Sequence, residues 1–481
     1  MKKEGKYVNR RAFLKTLGGG VAATAITACT GGNGGKVTPE GSATGEVPTD
    51  KMTCRTNTKT GDKVSILGYG CMRWPMRQKS DGNGEEIDQD AVNELVDYAL
   101  AHGVNYFDTA PPYGRGMSET ATGIALKRHP RDSYYLATKM SNHHIVKEDL
   151  PPEVNYRNSI DLYRQSFERL QVDYIDYYLC HNVGGGSGIP FMNARFFDNG
   201  LMDFLVKERE AGRIRNLGFS FHGDVKVFDY MLQQSGVNWD FVQIQLNYTD
   251  WRHAEVNKGF VKNVNAEYLY NELDKRGIQI AVMEPLLGGR LAKLNNYSMS
   301  LLKQREPEMS IASWAFRFAG HFPNVLTVLS GMTYMEHLQD NIRTFAPLRQ
   351  LSEADLELLE ETAVTMLNYP TVPCTTCEYC MPCPYGINIP AVFSHYNKCI
   401  NEGNVPKSLQ DENYRSARRA FLVGYDRSVP RLRQASHCIN CGQCTVHCPQ
   451  SIRIPEEMQK IDRFVEALKR ETEIPAIATP V

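Results

Sequence analysis

Four residues that could share one reaction lie at the ends of short apolar runs in the first half of the chain. Asp108 and Tyr113 fall in Phe107-Asp108-Thr109-Ala110-Pro111-Pro112-Tyr113-Gly114, Lys139 closes Ala137-Thr138-Lys139, and His181 closes Asp176-Tyr177-Tyr178-Leu179-Cys180-His181. Groups of these kinds can move a proton to or from a reacting oxygen. A phenol, with an ordinary pKa of about 10, is a reluctant acid. An ammonium beside it favours phenolate and lowers that pKa, and a carboxylate can hold the ammonium in place. An imidazole can orient the oxygen and stabilise its charge. Tyr113, Lys139, Asp108 and His181 therefore bring a phenol, an amine, an acid and an imidazole toward one mouth. Singly, each also has a plain structural reading: a helix cap, a packed ring, a solvated amine and a core histidine. Their occurrence at three successive strand ends favours chemistry.

A second group lies near the C-terminus. The chain has 13 cysteines, and eight of them form two tight runs. Cys438, Cys441, Cys444 and Cys448 follow the spacing C-x2-C-x2-C-x3-C-P, in which three closely spaced thiolates wrap one iron–sulfur cluster and the fourth reaches the other cluster of a pair. Zinc is the alternative, but it needs four ligands and usually takes separated pairs. Cys374, Cys377, Cys380 and Cys383 form a run one residue shorter before its last Cys. Both runs end in Cys-Pro-x-x-Ile-x-Ile-Pro, which marks a pseudo-repeat. Eight thiolates suit two [4Fe–4S] clusters, and the second run alone suits at least one. Cys54, Cys71 and Cys180 have no partners at metal-site spacing, and Cys399 reads as a packing residue.

The elements that must position these groups alternate. Strands are expected near Val64–Leu67, Val104–Phe107, Tyr134–Thr138, Ile175–Leu179, Arg215–Phe219, Phe241–Gln245, Ile278–Val282 and Val325–Leu329. Amphipathic helical segments separate them; Val92, Leu95, Val96, Ala99 and Leu100 share one face. Strand–helix alternation implies a parallel sheet. Eight units match a (β/α)8 TIM barrel, whose active sites sit at the C-terminal ends of the strands. An open doubly wound sheet fits less well, because its first turn shows no Gly-rich dinucleotide fingerprint. The fold class is thus α/β, a barrel followed by an α-helical ferredoxin-like domain that carries the two Cys runs. About fifty residues separate those runs, with helical patterning through Tyr414–Leu422 and a basic stretch of Arg415, Arg418, Arg419, Arg427, Arg431 and Arg433. That stretch reads as a solvated helix face or as a docking surface for an acidic redox partner.

On the stretches quoted above, the chain resembles the aldo/keto reductase family from roughly Lys63 to Pro347, in the subgroup fused to a C-terminal 4Fe-4S ferredoxin-type domain. The resemblance implies a small carbonyl or alcohol substrate that exchanges hydride, with Tyr113 as general acid, Lys139 lowering its pKa, Asp108 holding Lys139, and His181 orienting the carbonyl oxygen. It implies NADP or NAD, held by Gly70, Met72, Ser220, Gln243, Pro285, Leu286, Gly331 and Asn341. Phe221 stands where the family commonly has Asn. Met283 and Glu284 stand for Tyr and Ser, and Gly331 and His337 stand for the Lys and Arg that grip a 2′-phosphate. For the cysteines, resemblance implies that Cys374, Cys377 and Cys380 with Cys448 hold one cluster, and Cys438, Cys441 and Cys444 with Cys383 the other. A rival reading is an electron-transfer or scaffolding subunit whose barrel has lost catalysis.

The N-terminus reads as an address. Lys2, Lys3, Lys6, Arg10, Arg11 and Lys15 precede an uncharged, mildly apolar segment to Ala28. Asn9 to Lys15 resembles the twin-arginine export motif, and Ile26-Thr27-Ala28-Cys29 resembles a lipobox whose Cys is acylated. The expectation is a protein exported by the twin-arginine route, periplasmic or anchored to a membrane only through lipid on Cys29. The domains expected are a signal over 1–28, a linker over 29–52, the barrel over 53–349, a connecting helix over 350–369, the iron–sulfur domain over 370–465 and a tail over 466–481. The whole chain carries a formal charge of -1, and removal of the signal leaves roughly -6, which favours solubility. Such a balance gives no reason to expect a nucleic-acid partner.

Overall fold

The computed structural model describes residues 46–185, 188–233, 237–254, 264–367, 369, 371–448, 450 and 452–474. The twin-arginine segment, Cys29, most of the linker and the end of the tail lie outside the described residues.

Eight parallel strands close into a barrel: β1 (Leu67–Gly70), β2 (Tyr106–Asp108), β3 (Tyr135–Met140), β4 (Ile175–Val183), β5 (Ile214–Phe221), β6 (Phe241–Gln245), β7 (Gln279–Met283) and β8 (Val325–Ser330). Each pairs with its neighbours in sequence, and β8 returns to β1 through Val328 opposite Leu67. The strands are apolar on both faces because both are covered, one by the barrel interior and one by helices. Tyr106, Ala137, Tyr177, Leu179, Phe241, Ala281 and Leu326 fill the interior, while a larger cluster lies between strands and helices. The helix Gln89–Ala101 shows how the pattern works: Asp88 caps it by accepting from the Ala91 amide, and Val92, Leu95, Val96 and Ala99 are its buried residues.

The first barrel strand departs from expectation. Lys63–Ser65 is not in the barrel; it pairs antiparallel with Cys54–Thr56. Val64 is fully buried with the barrel-interior side chains, so its apolar signal comes from closing the floor of the barrel. Asn57 in the same hairpin donates to Tyr177 Oη at 3.0 Å and Asn216 Oδ1 at 3.1 Å.

After the helix Glu353–Leu367, a second hydrophobic core gathers Val372, Phe393, Tyr396, Phe421, Met458, Phe464 and Leu468. Three helices build it: Ile389–Asn401, Tyr414–Ser428 and Ile454–Arg470. Cys399 is buried there beside His395. The basic stretch is not wholly a solvated face. Arg418 donates to the Leu468 carbonyl at 2.6 Å, and Arg433 to the Gly386 carbonyl at 3.3 Å. Among the described residues, no helix is long and apolar enough to cross a membrane.

The cysteine module lies on the barrel mouth and belongs to the same compact unit. Arg73 donates to the Thr375 carbonyl at 2.6 Å, Arg290 to Thr371 Oγ1 at 3.0 Å, and Gln450 to Gln245 Oε1 at 3.3 Å. Gly288 marks the closest approach. It has φ 68°, and a Cβ there would lie 2.3 Å from Thr375 Cα.

Candidate active site and cysteine cavities

Asp108 is the last residue of β2, Lys139 the penultimate residue of β3, and His181 lies near the end of β4, so strand order delivers all three to one mouth. Lys139 is fully buried and donates to Asp108 Oδ1 at 2.5 Å and to the Thr109 carbonyl at 2.7 Å. Gln243, on β6, donates to the other Asp108 oxygen at 3.2 Å. A buried ammonium is tolerable only with such partners. Asp176, in the same sequence stretch as His181, belongs to the opposite end. It is buried among Arg131 at 2.6 Å, Arg215 at 3.2 Å and the Leu136 amide, and braces the floor.

Tyr113 lies in the turn after β2. The Lys139 ammonium stands over its ring, 4.7 Å from the centroid, and the His181 ring meets it edge-on at 5.9 Å. The sequence suggests that Lys139 primes the phenol by lowering its pKa. Lys139 stands over the ring while it bonds Asp108 and Thr109, and burial, with Asp108 second, pushes the Tyr113 phenol well above its ordinary value. The influence opposing them is the hydroxyl of Tyr379, from the first cysteine run. Tyr113 at rest is thus a protonated phenol, the form that can donate.

His181 Nδ1 pairs with Ser141 Oγ at 2.6 Å. Burial, reinforced by His143 and Lys139, holds its pKa well below the ordinary range, so the ring is a neutral imidazole. Its backbone is strapped by Arg195, buried on the segment after β4, which donates to the carbonyls of His181 and Asn182 and to Asn142 Oδ1 at 3.0 Å. Arg195 and Ser141 went unrecognised from sequence, because nothing local marks a residue that acts across loops.

A cavity of about 430 Å³ opens beside Asp108 and Tyr113. Of the residues assigned to a nucleotide, Gly70, Met72, Gln243, Pro285, Leu286, Gly331 and Asn341 line it. Ser220 does not; it is buried and accepts from the Asn182 amide at 3.0 Å. Met283 and Glu284 are in the wall, and burial raises the Glu284 carboxyl against the opposing effect of Arg73. The wall also carries Glu336, His337 and Asp340, and its described cation is Arg73, which packs on Gly331 and donates to the Thr375 carbonyl at 2.6 Å. Cys377, Tyr379 and Gln450 close the cavity from the cysteine module, a contribution the sequence stretches gave no sign of. A second cavity, about 870 Å³, lies on the other side of Tyr379 between barrel loops and module.

The eight cysteines line two smaller cavities. Cys374, Cys377, Cys380 and Cys448 share one, walled by Ile389, Pro390, Phe393, Ile452 and Ile454. Cys383, Cys438, Cys441 and Cys444 share the other, walled by Ile387, Ile389, Ile439, Ile454 and Met458. Ile389 and Ile454 stand between them. The pseudo-repeat extends to the backbone. Thr376 and Asn440, each two residues after the first Cys of a run, have φ 54° and 63°; Glu378 and Gly442, each four after it, have φ 66° and 74°. Left-handed residues recurring at matched places give both loops the same course, a conformation that also occurs in anion- and cluster-binding nests. The Thr376 amide donates to Cys374 Sγ at 3.4 Å. Burial pushes the thiol of Cys374 up to about 11 and that of Cys377 to about 12, with neighbouring cysteines adding to both. Among the described residues, no three His, Cys, Asp or Glu side chains converge on a point that would hold a single ion.

A family model described as the aldo/keto reductase family matches residues 66–363. L-galactose dehydrogenase of Arabidopsis thaliana is 28% identical over 328 residues, covering 65% of this chain and 93% of that protein. An NADH-specific methylglyoxal reductase of Escherichia coli is 24% identical over 338 residues, covering 62% of this chain and 95% of its own. Among solved structures, an aldo-keto reductase from Bacillus halodurans in its holo form matches at 21% identity and TM-score 0.49, covering 65% of this chain and 96% of its own.

Proposed function

Because the chain belongs to the aldo/keto reductase family of oxidoreductases, we propose that it transfers hydride between a nicotinamide dinucleotide and a small carbonyl or alcohol substrate, with Tyr113 as general acid. The observation that carries this reading is the convergence of Tyr113, Lys139, Asp108 and His181 at the mouth of the barrel, beside a cavity lined by seven of the eight residues assigned to the nucleotide. When bound, the nicotinamide supplies or accepts the hydride. The chain's own residues do the rest. In reduction, Tyr113 Oη gives its proton to the carbonyl oxygen as the C–H bond forms, and the resulting phenolate is reprotonated from solvent. The Lys139 ammonium over the ring offsets that transient charge, and Asp108 and Gln243 keep the ammonium in place. Neutral His181 orients the oxygen, with its own ring fixed by Ser141.

The same proposal gives each four-cysteine cavity a [4Fe–4S] cluster. Four sulfur donors, apolar walls, an N–H···S hydrogen bond and the paired left-handed turns fit such a group. Buried thiols that resist ionisation alone would be deprotonated by the cluster's irons. When bound, the clusters would carry single electrons, which assigns the module to exchange with a redox partner protein rather than to the hydride step. Export by the twin-arginine route, with Cys29 as a lipid anchor, completes the proposal. Incorporation of labelled palmitate into the wild type and into Cys29→Ala checks the anchor; equal labelling of the two would remove it.

A second reading, an electron-transfer subunit with a silent barrel, is favoured by Met283 and Glu284 in the cavity wall. One anaerobic preparation separates the two. The catalytic reading expects nicotinamide-dependent carbonyl turnover by the wild type, and its loss by on the order of a hundredfold or more in Tyr113→Phe, with iron and sulfide content unchanged. The silent-barrel reading expects no turnover from either protein.

A further inference from the structure

Tyr379 sits between Cys377 and Cys380, yet its side chain leaves the cysteine cavity and enters the barrel mouth. It lines the cavity that Tyr113 also lines and the larger cavity beyond, and its hydroxyl faces that of Tyr113 closely enough for the two to interact. We infer that Tyr379 is a positioning residue for the proton donor, so that the metal-binding loop completes the active site of the barrel. The inference rests on the role of Tyr113 proposed above.

The chemistry follows from what a phenol can do. Tyr113 Oη has one hydrogen and two lone pairs. With Tyr379 donating to one lone pair, the Tyr113 hydrogen is directed at a substrate oxygen, and the two bonds strengthen one another. As Tyr113 gives up its proton, negative charge grows on Oη, and the Tyr379 hydroxyl is already aimed at it. A hydrogen bond that tightens in this way favours the transition state over the ground state, and so acts on kcat rather than on binding.

Tyr379 is held for this role from both sides. Arg73 grips the Thr375 carbonyl at 2.6 Å, and Gly288 lies against Thr375 so closely that no Cβ fits. Glu378, immediately before Tyr379, takes the left-handed conformation that turns the chain. Thr375 itself is buried. The loop therefore cannot slide along the barrel without losing contacts on both of its faces.

The test compares Tyr379→Phe, Tyr113→Phe and the double variant as anaerobic holoprotein, each assayed for iron, sulfide and nucleotide affinity alongside carbonyl turnover. Tyr379→Phe is expected to lower kcat roughly tenfold, with KM within about twofold and with unchanged iron, sulfide and nucleotide affinity. In single-turnover measurements on the Tyr113→Phe background, adding Tyr379→Phe is expected to cost nothing further, since the hydroxyl it acts through is gone. An unchanged kcat in Tyr379→Phe would overturn the inference. So would a loss seen only in KM or in iron content, or the same tenfold loss on the Tyr113→Phe background, because each points to packing alone. If Tyr113→Phe keeps wild-type turnover, the proposed function fails first, and the inference falls with it.

Discussion

The two cysteine runs share a backbone and differ in what they face. Thr376 matches Asn440 and Glu378 matches Gly442 in their left-handed turns, and each run lends its last Cys to the other's cavity. In the first run, the residue after the second left-handed turn is Tyr379, which reaches Tyr113; the matching residue of the second run, Gln443, is exposed. Cys377 borders the barrel cavity, whereas Cys441 is exposed beside Ile439, itself 59% exposed. One repeat thus faces inward, into the wall of the barrel cavity, and its copy faces outward. The difference teaches that a shared cysteine pattern need not mean equal function: the sequence between the cysteines decides what each loop touches.

That comparison can be broken most forcefully at the ligands themselves. Cys377→Ser is expected to lose one cluster's worth of iron and to lower carbonyl turnover on the order of a hundredfold, since a displacement of the Tyr379 loop by about 1 Å is enough for such a loss. Cys441→Ser is expected to lose similar iron and keep turnover within about twofold. Equal losses of activity would erase the distinction between the runs; iron analysis with steady-state kinetics decides it. A gentler disturbance acts on the barrel side. Gly288→Ala places a side chain against Thr375 and strains a positive φ, which is expected to destabilise by about 1–3 kcal/mol and to reduce turnover more than it reduces iron content. Chemical denaturation and kinetics on the same sample check this. The smallest effect concerns the far end of the nucleotide cavity. With Glu336 and Asp340 in its wall and Arg73 already donating to the Thr375 carbonyl, a 2′-phosphate gains little there, so kcat/KM for NADH is expected to equal or exceed that for NADPH by up to roughly tenfold.

Much of the barrel was legible because its signals are local. Asp108, Lys139 and His181 are each read off the end of an apolar run, and strand order alone then brings them together. The cysteine pairing was legible through resemblance, since the shared ending of the two runs is visible in the chain. The first barrel strand was misplaced because burial, which the sequence reports through Val64, is the same for a barrel strand and for a hairpin that closes the floor. Ser220 was drawn off to the Asn182 amide, a contact between two strand ends that no motif records. Tyr379 was missed for a deeper reason: its partner lies far away in the chain, and the pair exists only because the cysteine module docks on the barrel mouth.

The central claim is that this barrel passes hydride rather than single electrons to carbon. It is tested most directly by one turnover of the anaerobic holoprotein with a nicotinamide dinucleotide carrying deuterium at the reactive carbon of the reduced ring. The account expects deuterium on the carbinol carbon of the product; a product whose new C–H hydrogen comes only from solvent would contradict it.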